Sequence, residues 1–465
     1  MIFGNSGTSF ILNDRRLGDR VSSAKFWTLV QDKTKELSGC GFAPHARVVI
    51  EAQEPIATLV NLFAVWECGL CAVLVANSIT DEERNRIREF VDASAWMTDH
   101  VSVLKVEDGA VSSERLKEND PALILLTSGT TGVPKGVTLS LSALRKRLAL
   151  NVDAIGASNM SHTLCVLPLS FGHGLIGNTL TAMAANAQIS FLVKPTLPEL
   201  STLGQNLDEW GVRFLSSVPS FWYLALRVSP RPKNSLQRIH VGSAPLSDEL
   251  WREIENWSGT NKVFNTYGMT ETANWISGML RDQAGASDGL VGKIWGGSFK
   301  VLIDGELKTS GKGEVAISSP TLMLGYWNAE EKTQDVIFEE HFLTGDIGEL
   351  TKDGALRLVG RLKNEINVGG IKVLAEEVDM LLERNPMVRE ACSFPISDEV
   401  AGEVVAAAIA VNTALESEDV RAWCKERARP EAVPAKLVFV DELPRNDRGK
   451  LDRGVAKALF EELIK

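Results

Sequence analysis

As far as about residue 290, short apolar strands alternate with helical patterns of about ten to fifteen residues, and this alternation restricts the fold more than any other feature. "KFWTLVQDKTKEL" has helical periodicity, "ARVVIEA" reads as a strand, "PIATLVNLFAVWECG" as a helix and "LCAVLVA" as a strand. "TDEERNRIREFVDA" opens with a Thr cap and acids in its first turn, where the positive end of the helix favours them. "HTLCVLPLS", "AQISFLV", "VRFLSSVPS" and "LQRIHVGSAP" extend the pattern. Strands spaced by helices predict an α/β protein. Further on, "GSFKVLIDGELKTSGKGEVAISS" is short strands broken by Gly turns, which predicts a β-rich subdomain or barrel. A break at Arg361–Lys363 separates residues 1–362 from residues 363–465, and the second piece is large enough to hold its own core.

The stretch "LLTSGTTGVPKGV", Leu125 to Val137, holds three glycines, four hydroxyl side chains and one lysine. Glycine lets backbone approach a ligand, and exposed N–H and O–H groups suit phosphate oxygens. The preceding "PALILL" reads as a buried strand, so the loop leaves a strand end, where α/β sheets bind ligands. An ordinary Gly/Ser/Thr loop has the same composition. The ATPase Walker loop is excluded, because Lys135 is followed by Gly136 and the glycine spacing is wrong.

At 465 residues the chain exceeds one compact core. A net charge of −11 suits a soluble protein and argues against a nucleic-acid surface. Apart from Cys68 and Cys71, which stand three residues apart, the cysteines (Cys40, Cys165, Cys392 and Cys424) are scattered, which argues against zinc or a disulfide framework and for a reducing compartment. "IATLVNLFAVWECGLCAVLVA" carries Glu67 in mid-run and reads as a buried helix and strand, not a membrane span. "MIFGNSGTSF" has no basic region followed by an apolar one. The expectation is a cytoplasmic protein without a membrane span.

Six motifs then occur in one order: "TSGTTGVPKG" at 127–136, "GSAPL" at 242–246, "NTYGMTE" at 265–271, "TGD" at 344–346, "GRLKN" with "VGG" at 360–370, and "LPRNDRGKLDR" at 443–453. Across essentially its whole length the chain resembles the adenylate-forming superfamily of acyl-CoA synthetases, nonribosomal-peptide adenylation domains and firefly luciferase. The resemblance implies a large N-terminal domain of stacked α/β sheets with a small β-barrel-like subdomain, and a small mobile α+β C-terminal domain. It also implies an AMP-forming reaction in which a carboxylate displaces pyrophosphate from ATP and a thiol then attacks the acyl-adenylate. Negative oxygens meet in the first step, so catalysis is mostly positioning and charge stabilisation.

By resemblance, Lys450 is the catalytic lysine bridging carboxylate, ribose and α-phosphate. Thr127, Ser128, Gly129, Thr130, Thr131, Gly132 and Lys135 belong to the loop that holds the β- and γ-phosphates. Glu271, with Thr130, places Mg2+, and Thr270 binds the α-phosphate. Tyr267 and the strand end Gly242, Ser243, Ala244 and Pro245 sandwich the adenine, with Asn265, Thr266, Gly268 and Met269 in the same nucleotide site. Asp346 takes the ribose hydroxyls, and Arg361 contacts the ribose or phosphates. Lys363 is the hinge about which the C-terminal domain rotates. Val368, Gly369 and Gly370 line a tunnel for the pantetheine thiol of CoA or of a carrier protein. Phe171, His173 and Trp275 line the acyl pocket. Three departures stand out: Leu141 replaces a usual histidine, Ser243 stands where glycine is common, and Asn367 stands where lysine is frequent.

Residues Leu167 to Leu175 contain no acid to pair with a substrate ammonium, and an unpaired buried ammonium is costly. An α-amino acid is therefore not expected. Gly268 stands where acetyl-CoA synthetases have a tryptophan that shortens the pocket, which favours a medium-chain or aromatic acid over acetate. Three readings remain: an acyl-CoA synthetase, a stand-alone ligase loading a carrier protein, and a non-catalytic nucleotide-binding relative. Lys450, Glu271 and the phosphate loop are all present, which counts against the last.

Overall fold

The structure, a computed structural model, describes residues 9–463 apart from 99, 106–114, 128–134, 234–235, 283–287, 399, 413–414 and 447–449. The alternation read from sequence produces two large sheets. The first runs in the order Gly325–Tyr326, Lys135–Ser140, Pro121–Thr127, Cys71–Ala76, Arg47–Ala52, Ala93–Met97, Val101–Val103. Its central strands are parallel, and Val48–Ile50 and Ala72–Leu74 are fully buried, as continuous apolar runs covered on both faces must be. The second runs Asn274–Leu280, Val263–Met269, Arg238–Gly242, Phe214–Ser217, His162–Cys165, Gln188–Phe191, Ile11–Asp14, Arg20–Ser22.

One core joins the two sheets. It contains Val48, Ile50 and Leu74 of the first and Leu12, Ile189 and Phe214 of the second, with Phe26, Leu62 and Leu144 from helices Ser23–Ser38, Pro55–Glu67 and Leu141–Ile155 between them. Helix Asp81–Phe90 starts where sequence places it. Thr80 Oγ1 accepts from the Glu83 N–H, and Glu83 reaches back to the Thr80 N–H, a reciprocal cap.

The expected β-rich region forms a third sheet, Leu290–Gly292, Leu356–Arg361, His341–Leu350, Gly311–Ser318, Ser298–Ile303, Glu306–Lys308, paired antiparallel throughout. The C-terminal part has its own sheet, Ile371–Leu374, Glu365–Val368, Gly402–Val411, Val388–Asp398, with Lys436–Val440 parallel to Gly402–Val411. Helix Ala375–Glu383 packs on that sheet through Val378 and Leu382. No described helix is long and apolar enough to cross a membrane, and all six cysteines are unpaired.

Candidate active site

Strands Pro121–Thr127 and Lys135–Ser140 are the antiparallel arms of the glycine-rich loop. Thr127 pairs with Lys135, and its hydroxyl donates to the Lys135 carbonyl at 3.3 Å. Ser128, Gly129, Thr130, Thr131 and Gly132, including the expected metal contact of Thr130, lie outside the described residues. Lys135 emerges at the base of the loop with its ammonium 4.7 Å from the centre of the Tyr326 ring.

Across from it, strand Val263–Met269 runs into the tight turn Thr270–Thr272, and Ala273 and Asn274 leave that turn at φ +55° and +89°. Two successive non-glycine residues in the left-handed region are strained backbone, of a kind that clusters at functional sites. The turn is held from behind by Arg147, which is fully buried and donates to the Thr272 carbonyl at 3.3 Å. From the front, the Tyr326 hydroxyl donates to Glu271 Oε1 at 3.0 Å. Gly268 is required by close approach: a Cβ there would lie 2.2 Å from the Asn274 carbonyl oxygen. Asn265 donates to the Leu290 carbonyl at 2.9 Å and Thr266 to the Val241 carbonyl at 3.1 Å, so both tie strands together beneath the site.

Asp346 and Tyr267 meet although they are far apart in sequence. The Tyr267 hydroxyl donates to Asp346 Oδ2 at 2.6 Å, and Arg361 Nε pairs with Oδ1 at 2.8 Å. Burial first, then the Asp346 carboxylate, holds the Tyr267 phenol well above its ordinary pKa, and Asp346 raises that of Arg361. Each carboxylate oxygen retains acceptor capacity beyond these bonds. The Tyr267 ring is only 7% exposed, packed with Ile276, Val291 and Phe299, so most of the stacking face expected of it is covered.

His173 begins a segment, His173–Leu180, wound as a π-helix, a rare conformation frequent at functional sites. Its Nδ1 lies 2.8 Å from Ser243 Oγ and its Nε2 2.7 Å from Ser216 Oγ. Burial lowers its pKa to about 3, with the Lys450 charge adding to the effect, so the imidazole is neutral. Trp275 stands edge-on to His173 at 5.2 Å and to His240 at 4.8 Å, while Phe171, two residues before His173 in the chain, is half-buried. Ser243 sits at φ +67°, where glycine is the unstrained choice, and its hydroxyl is used to hold His173. Gly242, at the end of its strand, is buried; Ala244 and Pro245 follow it at the surface side. Ser216, Arg147 and Tyr326 carry no sequence signal that marks them, since each acts on a residue distant in the chain.

From the C-terminal part, the Lys450 N–H donates to Asn446 Oδ1 at 3.1 Å, and its charge is felt at His173. The Lys363 ammonium is lowered by burial first, then by Arg361, and feels Lys135 as well. Lys363 thus acts together with Arg361, Asp346 and Lys135, Arg361 with Asp346 and Glu271, and Lys450 with His173, and these groups mark out the candidate cleft. Val368–Gly370 is elsewhere: Gly369 and Gly370 form an exposed hairpin turn at φ +59° and +89°, bonded to Ala401 and to Asn367 Oδ1. The three tunnel candidates are therefore not brought to the cleft in this arrangement. Leu141 is a buried first residue of its helix.

Residues 11–327 match the AMP-binding enzyme family and residues 377–450 match the C-terminal domain of AMP-binding enzymes. The chain belongs to the AMP-binding enzyme family. Among curated relatives, the malonate–CoA ligase of Arabidopsis thaliana is 26% identical over 92% of this chain and 80% of its own length. The oxalate–CoA ligase of the same plant is 32% identical over 74% of this chain and 68% of its own. The fold is that of ATP-bound MatB from Rhodopseudomonas palustris, with a TM-score of 0.88 at 23% identity, covering 100% of this chain and 98% of that one.

Proposed function

We propose that this enzyme is an AMP-forming acid–thiol ligase that activates a carboxylic acid with ATP and transfers the acyl group to CoA. The observation that carries the reading is the paired geometry at two carboxylates: Asp346 bound by Tyr267 and Arg361, and Glu271 bound by Tyr326, whose ring receives Lys135. A carboxylate oxygen bonds to the α-phosphorus while the bond to pyrophosphate breaks, and charge gathers on the phosphoryl oxygens. Lys450 and Lys135 supply fixed positive charge for that step, in a site where such charge is worth more than in water. In the second step the thiol gives its proton to solvent, its sulfur bonds to the acyl carbon, and AMP leaves with the electron pair of the anhydride bond.

Mg2+ fits this arrangement through the carboxylate of Glu271 together with phosphate oxygens of the nucleotide, its preferred donors. When bound it neutralises charge on the polyphosphate. No group of three or more His, Cys, Asp or Glu capable of holding a metal occurs among the described residues, which suits a cation carried largely by its nucleotide. Asp346 serves the ribose, and Thr270 the α-phosphate. The domain boundary falls at 362/363, and rotation at Lys363 brings Val368–Gly370 to the cleft as the thiol channel.

Phe171, Trp275 and neutral His173 support an acid that is not an α-amino acid and that presents uncharged medium-chain or aromatic surface to them. Relatives named for malonate, oxalate and 4-coumarate define the panel to test. Pyrophosphate release should be measured with those three acids, octanoate, benzoate and glycine, with and without CoA. The reading expects release with octanoate or an aromatic acid and a CoA thioester as product. Release with none of the acids would overturn it. Thioester formation only on a phosphopantetheinylated carrier protein would replace CoA as the acceptor.

A further inference from the structure

Segment 323–327 lies outside every motif that suggested the function, yet it is stitched to both sides of the cleft. Gly325 and Tyr326 pair antiparallel with Thr138 and Val137, and the Trp327 N–H donates to the Gly136 carbonyl at 2.7 Å. On the other side the Met323 N–H donates to the Glu271 carbonyl at 2.8 Å. The one short segment therefore fixes the backbone of the phosphate-loop arm against the backbone of the acidic turn. Trp327 anchors it through Nε1–H donated to the Phe90 carbonyl at 3.1 Å.

Tyr326 repeats the connection with its side chain. Its ring receives the Lys135 ammonium at 4.7 Å, and its hydroxyl donates to Glu271 Oε1 at 3.0 Å. The residue is 8% exposed, so neither contact is made in open water. A cation attracted to a ring face and a charge-assisted hydrogen bond are both strengthened by such burial. The phenol also stands between a cation and an anion that attract each other. By occupying that space it holds Lys135 and Glu271 apart, with no direct ion pair between them among the described residues, and leaves the second oxygen of Glu271 outside this bond.

We propose that Tyr326 is a positioning residue that couples Lys135 to Glu271, setting the two charges at the separation required by the metal-bound polyphosphate of ATP. The proposal rests on the reading above that these two residues serve the nucleotide phosphates. It does not depend on which acid is activated.

The test is calorimetric titration of ATP and of AMP, over a range of Mg2+ concentrations, into wild type, Tyr326→Phe and Tyr326→Leu. Phenylalanine keeps the ring under Lys135 and removes the bond to Glu271. Loss of a hydrogen bond to a charged group should raise the Mg2+ concentration for half-maximal ATP affinity by about tenfold, and excess Mg2+ should restore binding. Leucine removes both contacts, so ATP should bind more weakly by about tenfold or more even at saturating Mg2+. AMP, which lacks the β- and γ-phosphates, should bind all three proteins alike, and thermal melts should show all three folded. A purely structural role would weaken ATP and AMP together, and that result, or wild-type Mg2+ dependence in Tyr326→Phe, would overturn the proposal. Glu271→Gln and Lys135→Ala separate the two levels of inference. If they bind ATP as wild type does, the reading of the site falls and the proposal with it; if they lose ATP while both Tyr326 variants do not, the proposal alone falls.

Discussion

Lys450 reaches the cleft from a C-terminal segment held by short local bonds, its N–H on Asn446 and the Asn446 N–H on the Lys450 carbonyl. It brings its charge to the His173 neighbourhood, and in the proposed reaction that charge serves the step in which phosphoryl and carboxylate oxygens meet. Lys450→Ala should therefore slow adenylate formation by roughly 10²–10³-fold or more, the usual cost of deleting one preorganised charge contact. Thioester formation from a supplied synthetic acyl-adenylate should be largely retained, because no phosphoryl transfer remains. The two half-reactions are measured separately, by pyrophosphate release and by thioester yield. Equal loss in both would remove Lys450 from the first step. His173 shows the other side of residue-scale reading. Its place in the sequence marks it, but its neutral state follows from burial first and then from the Lys450 charge, while Ser216 and Ser243, distant in the chain, hold its two ring nitrogens.

Helix Ala375–Glu383 carries Glu376, Asp379 and Glu383 at spacings of three and four, which puts them on one face. Arg453 answers two of them, at 3.3 Å from Glu376 and 2.6 Å from Asp379. Glu383 accepts the Ala391 N–H at 3.1 Å, and burial first, with Asp379 adding, pushes its pKa from 4.5 up to about 8. A carboxyl with a raised folded pKa binds its proton more tightly folded than unfolded. Its full contribution is present below pH 4.5, and stability declines as pH rises through about 8. Glu383→Gln keeps an acceptor for Ala391 and removes the titration. The variant's melting temperature should therefore gain on wild type between pH 5 and pH 8.5. A difference that does not change with pH across that range would show that Glu383 titrates normally. At this scale the sequence was readable in kind: helix Asp81–Phe90 and its Thr80 cap, and the strand-rich stretch after residue 290, stand where periodicity and turn residues put them. The π-winding of His173–Leu180 was not readable, because "HGLIGNTL" has no local feature that separates it from an α-helix.

In the whole molecule, the C-terminal part is held against the rest by Arg384 on Asp288 at 2.8 Å and by the Arg361 N–H on Glu376 at 3.2 Å. This arrangement brings the Lys450 charge to His173 and leaves Gly369 and Gly370 exposed, with Val368 packed on the C-terminal core. If the thiol channel forms only after rotation at Lys363, then Gly369→Leu should leave adenylate formation intact and abolish thioester formation. A Cβ at this position meets nothing within 4 Å in the present arrangement, although φ +59° adds local strain. Pyrophosphate release and thioester yield are read on the same preparation, and a normal thioester yield would make the turn merely a turn.

What the sequence by itself determined is whatever depends on neighbours a few residues apart: which segments become strands or helices, where caps and tight turns fall, and the order of motifs that marks an AMP-binding enzyme. What only the tertiary structure decided is how charges and polar groups are paired. Tyr326 lies 55 residues from Glu271, Asp346 lies 79 from Tyr267, and Ser243 lies 70 from His173. Strand order brings these partners together, and strand order follows from burying both large sheets around one core, a property of the whole chain that no local window contains.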